Sequence, residues 1–394
     1  DGIAAELHLS DSKPEASHRN FSSERKSLMN IYCNKQALID AVGNVQRAVS
    51  GKSTLPALEG ILLKATGSSL FLAGYDLDLG ITTTIEAEVR EPGEIVLTAK
   101  LFGDIVRRLP DDAVSLTTDE KLNTVIRSGL TEFTIIGISA NEYPEIPSVG
   151  DGVGFTVPQN TLKSMIRQTL FAVAQTDNRP VHTGTQFEME GEDLRLVSVD
   201  GSRLAMRCEP LQTKETMTFV VPGKTLSEVL KLLSDEDTPM SMAVGRRHIV
   251  LEIGGYAVIS RLLDGEFLPY RKAIPQNITT TVRIKTRDLI DAVERASLVI
   301  NDRIKSPLLC EFKDGKIKVS CTTPLGSASD VIDASIEGNE EEMGFNSRFL
   351  LEALKNTETD EVRIELGGPL SPMKILPVSG EGFLFLVLPV RLKK

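Results

Sequence analysis

The chain has 394 residues, 44 Lys and Arg against 55 Asp and Glu, a net charge of −11, and 41% hydrophobic residues with no Trp. That length exceeds one ordinary core and predicts two to four domains, while 25% charged residues beside 41% hydrophobic ones exclude the disordered and membrane-spanning classes. Neither a long apolar run nor a basic flank followed by an apolar opening segment is present, so a spanning helix and a secretion signal are excluded and a cytoplasmic address is expected.

Residues 1–28 are rich in Ser, Glu, Lys and Asp and keep no period of 2 or 3.6 before Met29. They read as a leader outside the fold, disordered or non-native: an upstream translated stretch or a cloning remnant. From Met29 onward the chain divides by three. A helical stripe of Leu38, Ile39, Val42, Val45 and Val49 recurs 124 residues on as Leu162, Met165, Ile166, Leu170 and Val173, and 127 further as Leu289, Ile290, Val293, Ala296 and Leu298. A shorter stripe of Phe102, Ile105, Val106 and Leu109 recurs at two steps of 124, as Leu226, Val229, Leu230 and Leu233, then as Leu350, Ala353 and Leu354. Two markers with nearly one long period predict tandem domains, at 29–148, 152–275 and 277–394.

Between the stripes the period is 2. Ile61–Lys64, Leu70–Ala73, Gln186–Met189, Leu194–Val197 and Ile317–Ser320 read as strands. Hairpin turns are expected at Gly67-Ser68-Ser69, Gly191-Glu192-Asp193 and Asp314-Gly315-Lys316, because Gly and Asp tolerate positive φ. Asn34, Pro158-Gln159-Asn160 and Thr286 stand before the long helices, and Thr98, Pro222 and Asn346 before the short ones. Pro and Gly gather at 144–154 and at 274–277, where linkers are expected. The pattern predicts an α+β chain of three sheets, each carrying two helices.

The helical windows 30–52, 98–109, 158–175, 222–233, 284–303 and 346–355 hold 16 basic and 8 acidic residues, a net of +8 that leaves −19 elsewhere. Lys35, Arg47, Lys52, Lys100, Arg107, Arg108, Lys163, Arg167, Lys224 and Lys231 are the main contributors. This sign pattern fits either a phosphate-facing surface or the ordinary preference of Lys and Arg for solvated helix faces.

Catalytic motifs fail on inspection. Gly51-Lys52-Ser53-Thr54 ends like a phosphate-binding loop, but Gln46 stands where the first glycine belongs and a helical stripe, not a strand, precedes it. Gly150-Asp151-Gly152-Val153-Gly154 lacks dinucleotide spacing and sits at a domain boundary. His182 and His248 have no metal-ligand partners in sequence, and Cys33, Cys208, Cys310 and Cys321 form no C-x-x-C pair, which points to free thiols and to no metal or cofactor.

Five motifs remain. Thr54-Leu55-Pro56-Ala57-Leu58, Val199-Asp200-Gly201-Ser202-Arg203-Leu204, Asp264-Gly265-Glu266-Phe267 with Tyr270-Arg271, Gly344-Phe345-Asn346 and Leu388-Pro389-Val390-Arg391-Leu392 occur in this order over the threefold repeat. In this the chain resembles the bacterial DNA polymerase III beta subunits, the sliding clamps, along all of 29–394. The resemblance implies an α+β fold of three tandem DNA-clamp domains, each with two helices packed on antiparallel sheet, and a head-to-tail homodimer closing a six-domain ring. It implies a processivity factor without catalytic residues that encircles duplex DNA and is opened by a clamp loader. Through short linear peptides it would tether the replicative polymerase, repair polymerases and mismatch-repair proteins. Twelve helices spaced about 9–10 Å apart would leave a hole of roughly 25 Å.

By the same resemblance the ten basic residues named above line that hole, and Phe133, Ile135, Leu298 and Val299 meet at the subunit boundary, unless they are ordinary core. A peptide groove between the second and third domains maps to Arg179, His182, Val199, Gly201, Ser202, Arg203, Leu204, Leu268, Lys272, Ala273, Asn346, Phe349, Leu370, Pro372, Leu386, Leu388, Pro389, Val390 and Arg391, with the arginines on the peptide's polar end. Two departures mark the groove: Ser202 stands where an aromatic residue or His is common, and Leu268-Pro269 replaces an earlier Pro. Two other readings stay open from sequence: a phosphate-binding enzyme using Gly51-Lys52-Ser53, and a monomeric peptide-binding scaffold.

Overall fold

The computed structural model describes residues 27–150, 152–176, 179–211, 215–300 and 306–392; of the expected leader, 1–26 lie outside them. The first repeat runs β1 (Ser27–Asn34), α1 (Lys35–Val45), β2 (Gly60–Thr66), β3 (Ser69–Tyr75), β4 (Leu79–Glu91), β5 (Gly93–Thr98), α2 (Ala99–Val106), β6 (Ala113–Asp119), β7 (Asn123–Ser128) and β8 (Thr131–Ile136). The second runs β9 (Val153–Pro158), α3 (Gln159–Leu170), β10 (Gly184–Glu190), β11 (Asp193–Val199), β12 (Arg203–Pro210), β13 (Met217–Pro222), α4 (Gly223–Leu232), β14 (Pro239–Val244), β15 (His248–Ile253) and β16 (Tyr256–Arg261). The third runs β17 (Thr280–Lys285), α5 (Thr286–Ser297), β18 (Leu308–Lys313), β19 (Lys316–Thr323), β20 (Gly326–Asp333), β21 (Ser335–Gly338), β22 (Glu341–Phe345), α6 (Ser347–Lys355), β23 (Glu361–Leu366), β24 (Met373–Pro377) and β25 (Phe383–Val387). The order repeats throughout, except that the long fourth strand of the first repeat is split into β20 and β21 in the third.

Local chemistry sets these elements. The Asn34 side chain accepts from the Ala37 N–H at 3.1 Å and caps α1, and Asn346 accepts from the Arg348 N–H at 3.0 Å and caps α6. Thr286, expected ahead of α5, is its first residue, and its hydroxyl donates to the Thr359 carbonyl at 2.7 Å. The three hairpins turn at Gly67 (φ 59°), at Gly191 (φ 66°) and at Asp314 and Gly315 (φ 51° and 70°). Gly74 allows α1 to end against β3, because a Cβ there would lie 2.0 Å from the Val45 carbonyl oxygen.

The stripes are buried in pairs, α1 on α2, α3 on α4 and α5 on α6, with each long helix laid over the third and fourth strands of its own repeat. One stripe position, Leu298, falls outside this core, and Val49 packs half-buried against it. Val49 lies beyond α1, which passes into a 3₁₀ turn at Gln46–Ala48, and Leu298 is 83% exposed at the end of α5. The helices are also shorter than the charge-bearing windows. Among the described residues the α-helices hold ten basic and seven acidic side chains, so most of the positive excess sits in flanking segments at Arg47, Lys52, Arg107 and Arg108.

Sheets run across repeat boundaries. A 12-stranded sheet follows β8-β7-β6-β1-β4-β16-β15-β14-β9, with β3, β2 and β5 branching from β4. A 9-stranded sheet follows β13-β10-β11-β12-β25-β24-β23-β17-β21, and β20-β19-β18-β22 form a third. The first two repeats share one apolar core, the third has its own, and a smaller cluster including Val199, Leu204, Tyr270, Leu384 and Leu386 fills the seam between the second and third.

Candidate functional site

Both internal junctions follow one rule: the fourth strand of a repeat pairs antiparallel with the last strand of the next. At the first junction Thr83 faces Tyr256 and Leu79 faces Ser260; at the second Arg207 faces Phe383 and Arg203 faces Val387. Shifting the first set by 124 and 127 residues reproduces the second, so the registers are identical. Each pairing closes with one further bond, Arg261 N–H to the Asp78 carbonyl at 2.8 Å and Leu388 N–H to the Ser202 carbonyl at 2.9 Å.

The rule leaves β20 and β8 over. Among the described residues of the single chain β20 pairs only with β19 and β8 only with β7. Exposed large apolar side chains gather there: Leu130, Phe133 and Ile136 at β8, and Leu298, Leu325 and Val331 at or beside β20. Such rows on open strand edges are uncommon on monomeric proteins. Of the four expected boundary residues, Phe133 and Leu298 lie on these surfaces. Val299 is half-buried, its carbonyl accepting from the Thr323 hydroxyl at 3.1 Å, and the Ile135 side chain is in the core of the first repeat, so β8 offers only its backbone there.

The groove residues converge from four segments. β12 and β25 set Leu204 opposite Leu386, and Val199 and Leu386 join Tyr270 and Leu384 in the seam cluster against which Leu268 packs. Val390 N–H donates to the Gly344 carbonyl at 2.8 Å and holds the C-terminal segment beside Asn346, with Leu388 and Val390 exposed and Pro389 half-buried. Pairing of Met373 with Val387 brings Pro372 alongside Leu388, with the exposed Leu370 two residues away. His182 is buried edge-on to Phe267 with ring centroids 5.7 Å apart, in the turn that begins at Arg179. Lys272 and Ala273 are exposed on a 3₁₀ turn fixed by the buried Glu188, which accepts from the Tyr270 hydroxyl and the Arg271 guanidinium, both at 2.8 Å. Burial first, and the hydrogen bond to Glu188 second, push the Tyr270 phenol above its ordinary range, so it stays a donor.

Arg203 departs from its expected role. Its side chain is 6% exposed, donates to Asp200 at 2.8 Å and to Glu352, and lies over the Phe349 ring at 4.5 Å and the Phe171 ring at 5.7 Å. It clasps the second repeat to the third instead of reaching for a peptide, and Asn346 is likewise committed to capping α6. Burial alone would raise the Glu352 carboxyl, but hydrogen bonds from Arg348 and Arg203 outweigh it and hold it below its ordinary value. Gly201 takes φ 83°, and the Asp200 carboxylate accepts from the N–H of Ser202 at 3.0 Å and of Arg203 at 3.1 Å. Sequence reasoning missed Phe171 and Glu352, whose residue types carry no signal until the chain brings them to Arg203.

Of the ten basic residues expected to face DNA, six are ion-paired. Arg107 and Arg108 share Asp104, Lys163 meets Asp235 with only 17% of its side chain exposed, Arg167 meets Glu358, Lys224 meets Asp76 and Lys231 meets Glu228. Lys35, Arg47, Lys52 and Lys100, all in the first repeat, pair with no acid among the described residues. Beside Lys52, the Ser53 N–H donates to the Glu59 carboxylate at 3.1 Å, so an acid of the chain sits where a phosphate would, and the loop leads into a single 3₁₀ turn at Pro56–Glu59 where a phosphate-binding loop would open an α-helix. The enzyme reading of Gly51-Lys52-Ser53 is thereby excluded. Among the described residues no three metal-ligating side chains converge and no helix is long and apolar enough to cross a membrane. The four cysteines are free thiols, with burial pushing Cys33 and Cys310 up to about 12.

Three repeats of one element order, joined by one strand-pairing rule, define the three-domain DNA-clamp class. The comparisons carry this to a family: patterns of the DNA polymerase III beta subunit match at residues 29–147 (N-terminal domain), 156–269 (central domain) and 271–391 (C-terminal domain), and the chain belongs to that family. It is 32% identical over 376 residues to the beta sliding clamp of Bacillus subtilis, covering 92% of this chain and 100% of that one, and 30% identical to that of Staphylococcus epidermidis at the same coverage. Among solved structures, the Bacillus subtilis DNA polymerase sliding clamp superposes with a TM-score of 0.91 at 32% identity, over 93% of this chain and 100% of that one. A putative DNA polymerase III beta subunit from Eubacterium rectale gives 0.89 at 35%, over 92% and 99%. A Pseudomonas aeruginosa clamp solved bound to griselimycin gives 0.87 at 28%, over 92% and 100%. Sliding clamps are non-catalytic processivity factors of DNA replication, and that function extends to this chain.

Proposed function

We propose that two copies close head to tail into a ring by repeating the internal junction a third time, β20 of one copy against β8 of the other. The single observation that carries this reading is the register. The matching hairpins set β20 123 residues after β12 and β8 125 residues before β16. Extended by those steps, the register sets Thr131 opposite Asp330, Phe133 opposite Ala328 and Ile135 opposite Gly326. One step past each end, Ile136 meets Leu325 and Leu130 meets Val331, so the exposed apolar side chains of the two edges find each other. Fully burying one such side chain contributes about 1.5–3 kcal/mol. The ring has three domains per copy, at 29–148, 152–275 and 277–394, and holds duplex DNA by enclosure with no sequence preference. Modest lining charge suits that task, because each tight phosphate contact would slow sliding. Lys35, Arg47, Lys52 and Lys100 supply most of it, the paired bases contributing little.

The seam between the second and third domains takes Leu- and Phe-bearing tails of polymerases and other DNA-processing proteins, with the clamp loader among its users, and the protein works in the cytoplasm. With Arg203 committed elsewhere, Arg179, Lys272 and Arg391 flank the polar end of the tail. Removing Leu388–Lys394 is expected to abolish peptide binding and leave the dimer; unchanged affinity would refute the groove. The test of enclosure is retention on nicked circular DNA after loading. Release on linearisation is expected, and equal retention on linear DNA with free ends would overturn it.

A further inference from the structure

The first junction holds a copy of the groove with different side chains. A cavity of about 340 Å³, within the range of ligand pockets, opens there and is lined by nine residues including Leu79, Thr225, Arg261, Leu262 and Leu263. Shifted by 124 or 127 residues, eight of the nine fall on groove positions: Arg261 on Leu388, Leu262 on Pro389, Leu263 on Val390 and Thr225 on Phe349 among them. The backbone scaffold repeats as well. Leu263 N–H donates to the Val220 carbonyl at 3.0 Å, as Val390 does to Gly344. The Asp76 carboxylate accepts from the N–H of Asp78 at 3.1 Å and of Leu79 at 2.7 Å, as Asp200 does from Ser202 and Arg203. Leu77 takes φ 79° and is exposed where Gly201 takes φ 83°. A leucine held in the left-handed region, next in the chain to the lining residue Asp78, is an outlier that asks for a role.

The exchanged side chains alter what fits. Leu79 replaces the Arg203 clasp and gives an apolar floor with Leu262 and Leu263, while an exposed Arg261 replaces Leu388 at the rim. Arg247, whose carbonyl accepts from the Leu262 N–H at 2.8 Å, and the neighbouring Arg246 stand nearby, and none of these three arginines pairs with an acid among the described residues. Asp78 and Asp264 also line the cavity, and Lys224 at the rim is paired with Asp76. Arg246 and Arg247 line the neighbouring cavity beside Ser148, Val149 and Gly150, and with Lys224 paired to Asp76 the three arginines outweigh Asp78 and Asp264 by one charge, a local positive balance on a chain of net charge −11.

We propose that this cavity is a second linear-peptide site, selective for a partner segment in which acidic residues precede a leucine pair: carboxylates on Arg247 and Arg261, aliphatic side chains on Leu79, Leu262 and Leu263. The proposal takes from the preceding reading only that such a seam suits peptides, and it is tested separately. The probe is fluorescein-labelled Glu-Asp-Asp-Leu-Leu-amide, titrated by anisotropy against the full chain, with neutral acetyl-Ala-Leu-Leu-Phe-amide as the probe of the groove. The double variant R247E/R261E is expected to weaken the acidic peptide at least tenfold, Arg261→Lys to keep it within threefold, and the double variant L388A/V390A to leave it unchanged. That result supports the second site even if the neutral peptide fails to bind, a failure that counts against the groove alone. Absence of saturable binding to the unsubstituted chain, or weakening that follows L388A/V390A, would overturn the proposal. So would displacement by a twelve-base-pair duplex whose own binding needs the same arginines, since the patch would then be a phosphate surface.

Discussion

At the first and second junctions the same backbone register joins two repeats, yet the side chains at equivalent places share almost nothing. Leu79 fills apolar space where Arg203 makes a buried ionic clasp, and Arg261 stands where Leu388 does. Strand pairing therefore sets how the repeats assemble, and the side chains at each seam are left to decide what docks there.

The largest expected effect comes from denying the third use of the register. Placing Asp at both Leu130 and Ile136 removes two apolar side chains from the boundary and sets charges on an edge, so the dimer should weaken more than about a hundredfold in analytical ultracentrifugation while the monomer fold stays intact. An unchanged dimer would show that the internal rule does not extend to the subunit boundary. Next is Arg203→Ala, which takes the guanidinium from the half-buried Asp200 and leaves Glu352 with Arg348 alone, and should cost about 3 kcal/mol in denaturant unfolding. At the equivalent position Leu79→Ala should cost about 2 kcal/mol by cavity formation. A smaller destabilisation at Arg203 than at Leu79 would contradict the clasp.

The two seams should also separate in acid. The folded Glu352 carboxyl is held below its ordinary value, so its stabilising contribution is present above the unfolded carboxylate range, near 4.5, and is lost as pH falls through the lower folded value. Amide exchange in β12 and β25 is therefore expected to rise below about pH 4.5, and Glu352→Gln should flatten that rise. The smallest effect is on the lining. Lys52→Ala with Lys100→Ala should lower the slope of log affinity against log salt by about 0.9 for each phosphate left without its cation. Lys163→Ala should change it less, since Asp235 already neutralises that ammonium.

Much of this architecture was legible because its signals are local. The hairpins at Gly67, Gly191 and Asp314 and the caps at Asn34 and Asn346 depend on residues within four positions of each other, and the two stripes repeat because each repeat must bury the same helix pair. Partners distant in sequence were not legible. Lys163 and Asp235 meet across 72 residues and Arg203 and Glu352 across 149, so a lining base and a groove arginine read from sequence were both tied into the fold. Leu298 fitted a helical stripe by spacing alone, although α5 ends at Ser297 and turns it to the surface. The exposed rows at Leu130, Ile136, Leu325 and Val331 resemble any other apolar residues until sheet order shows that both strands are edges.

The central claim, a third junction in the register of the first two, is tested most directly by replacing Phe133 and Ala328 with Cys in one chain. Directly opposed residues of an antiparallel pair have Cα atoms about 4.5–5.5 Å apart, within disulfide reach. On mild oxidation the variant should convert to a covalent species of twice 43.0 kDa, whereas Cys at Phe133 and Asp330, two positions out of register, should cross-link poorly. Oxidised chains that remain at 43.0 kDa, or a preference for the out-of-register pair, would contradict a ring closed in this register.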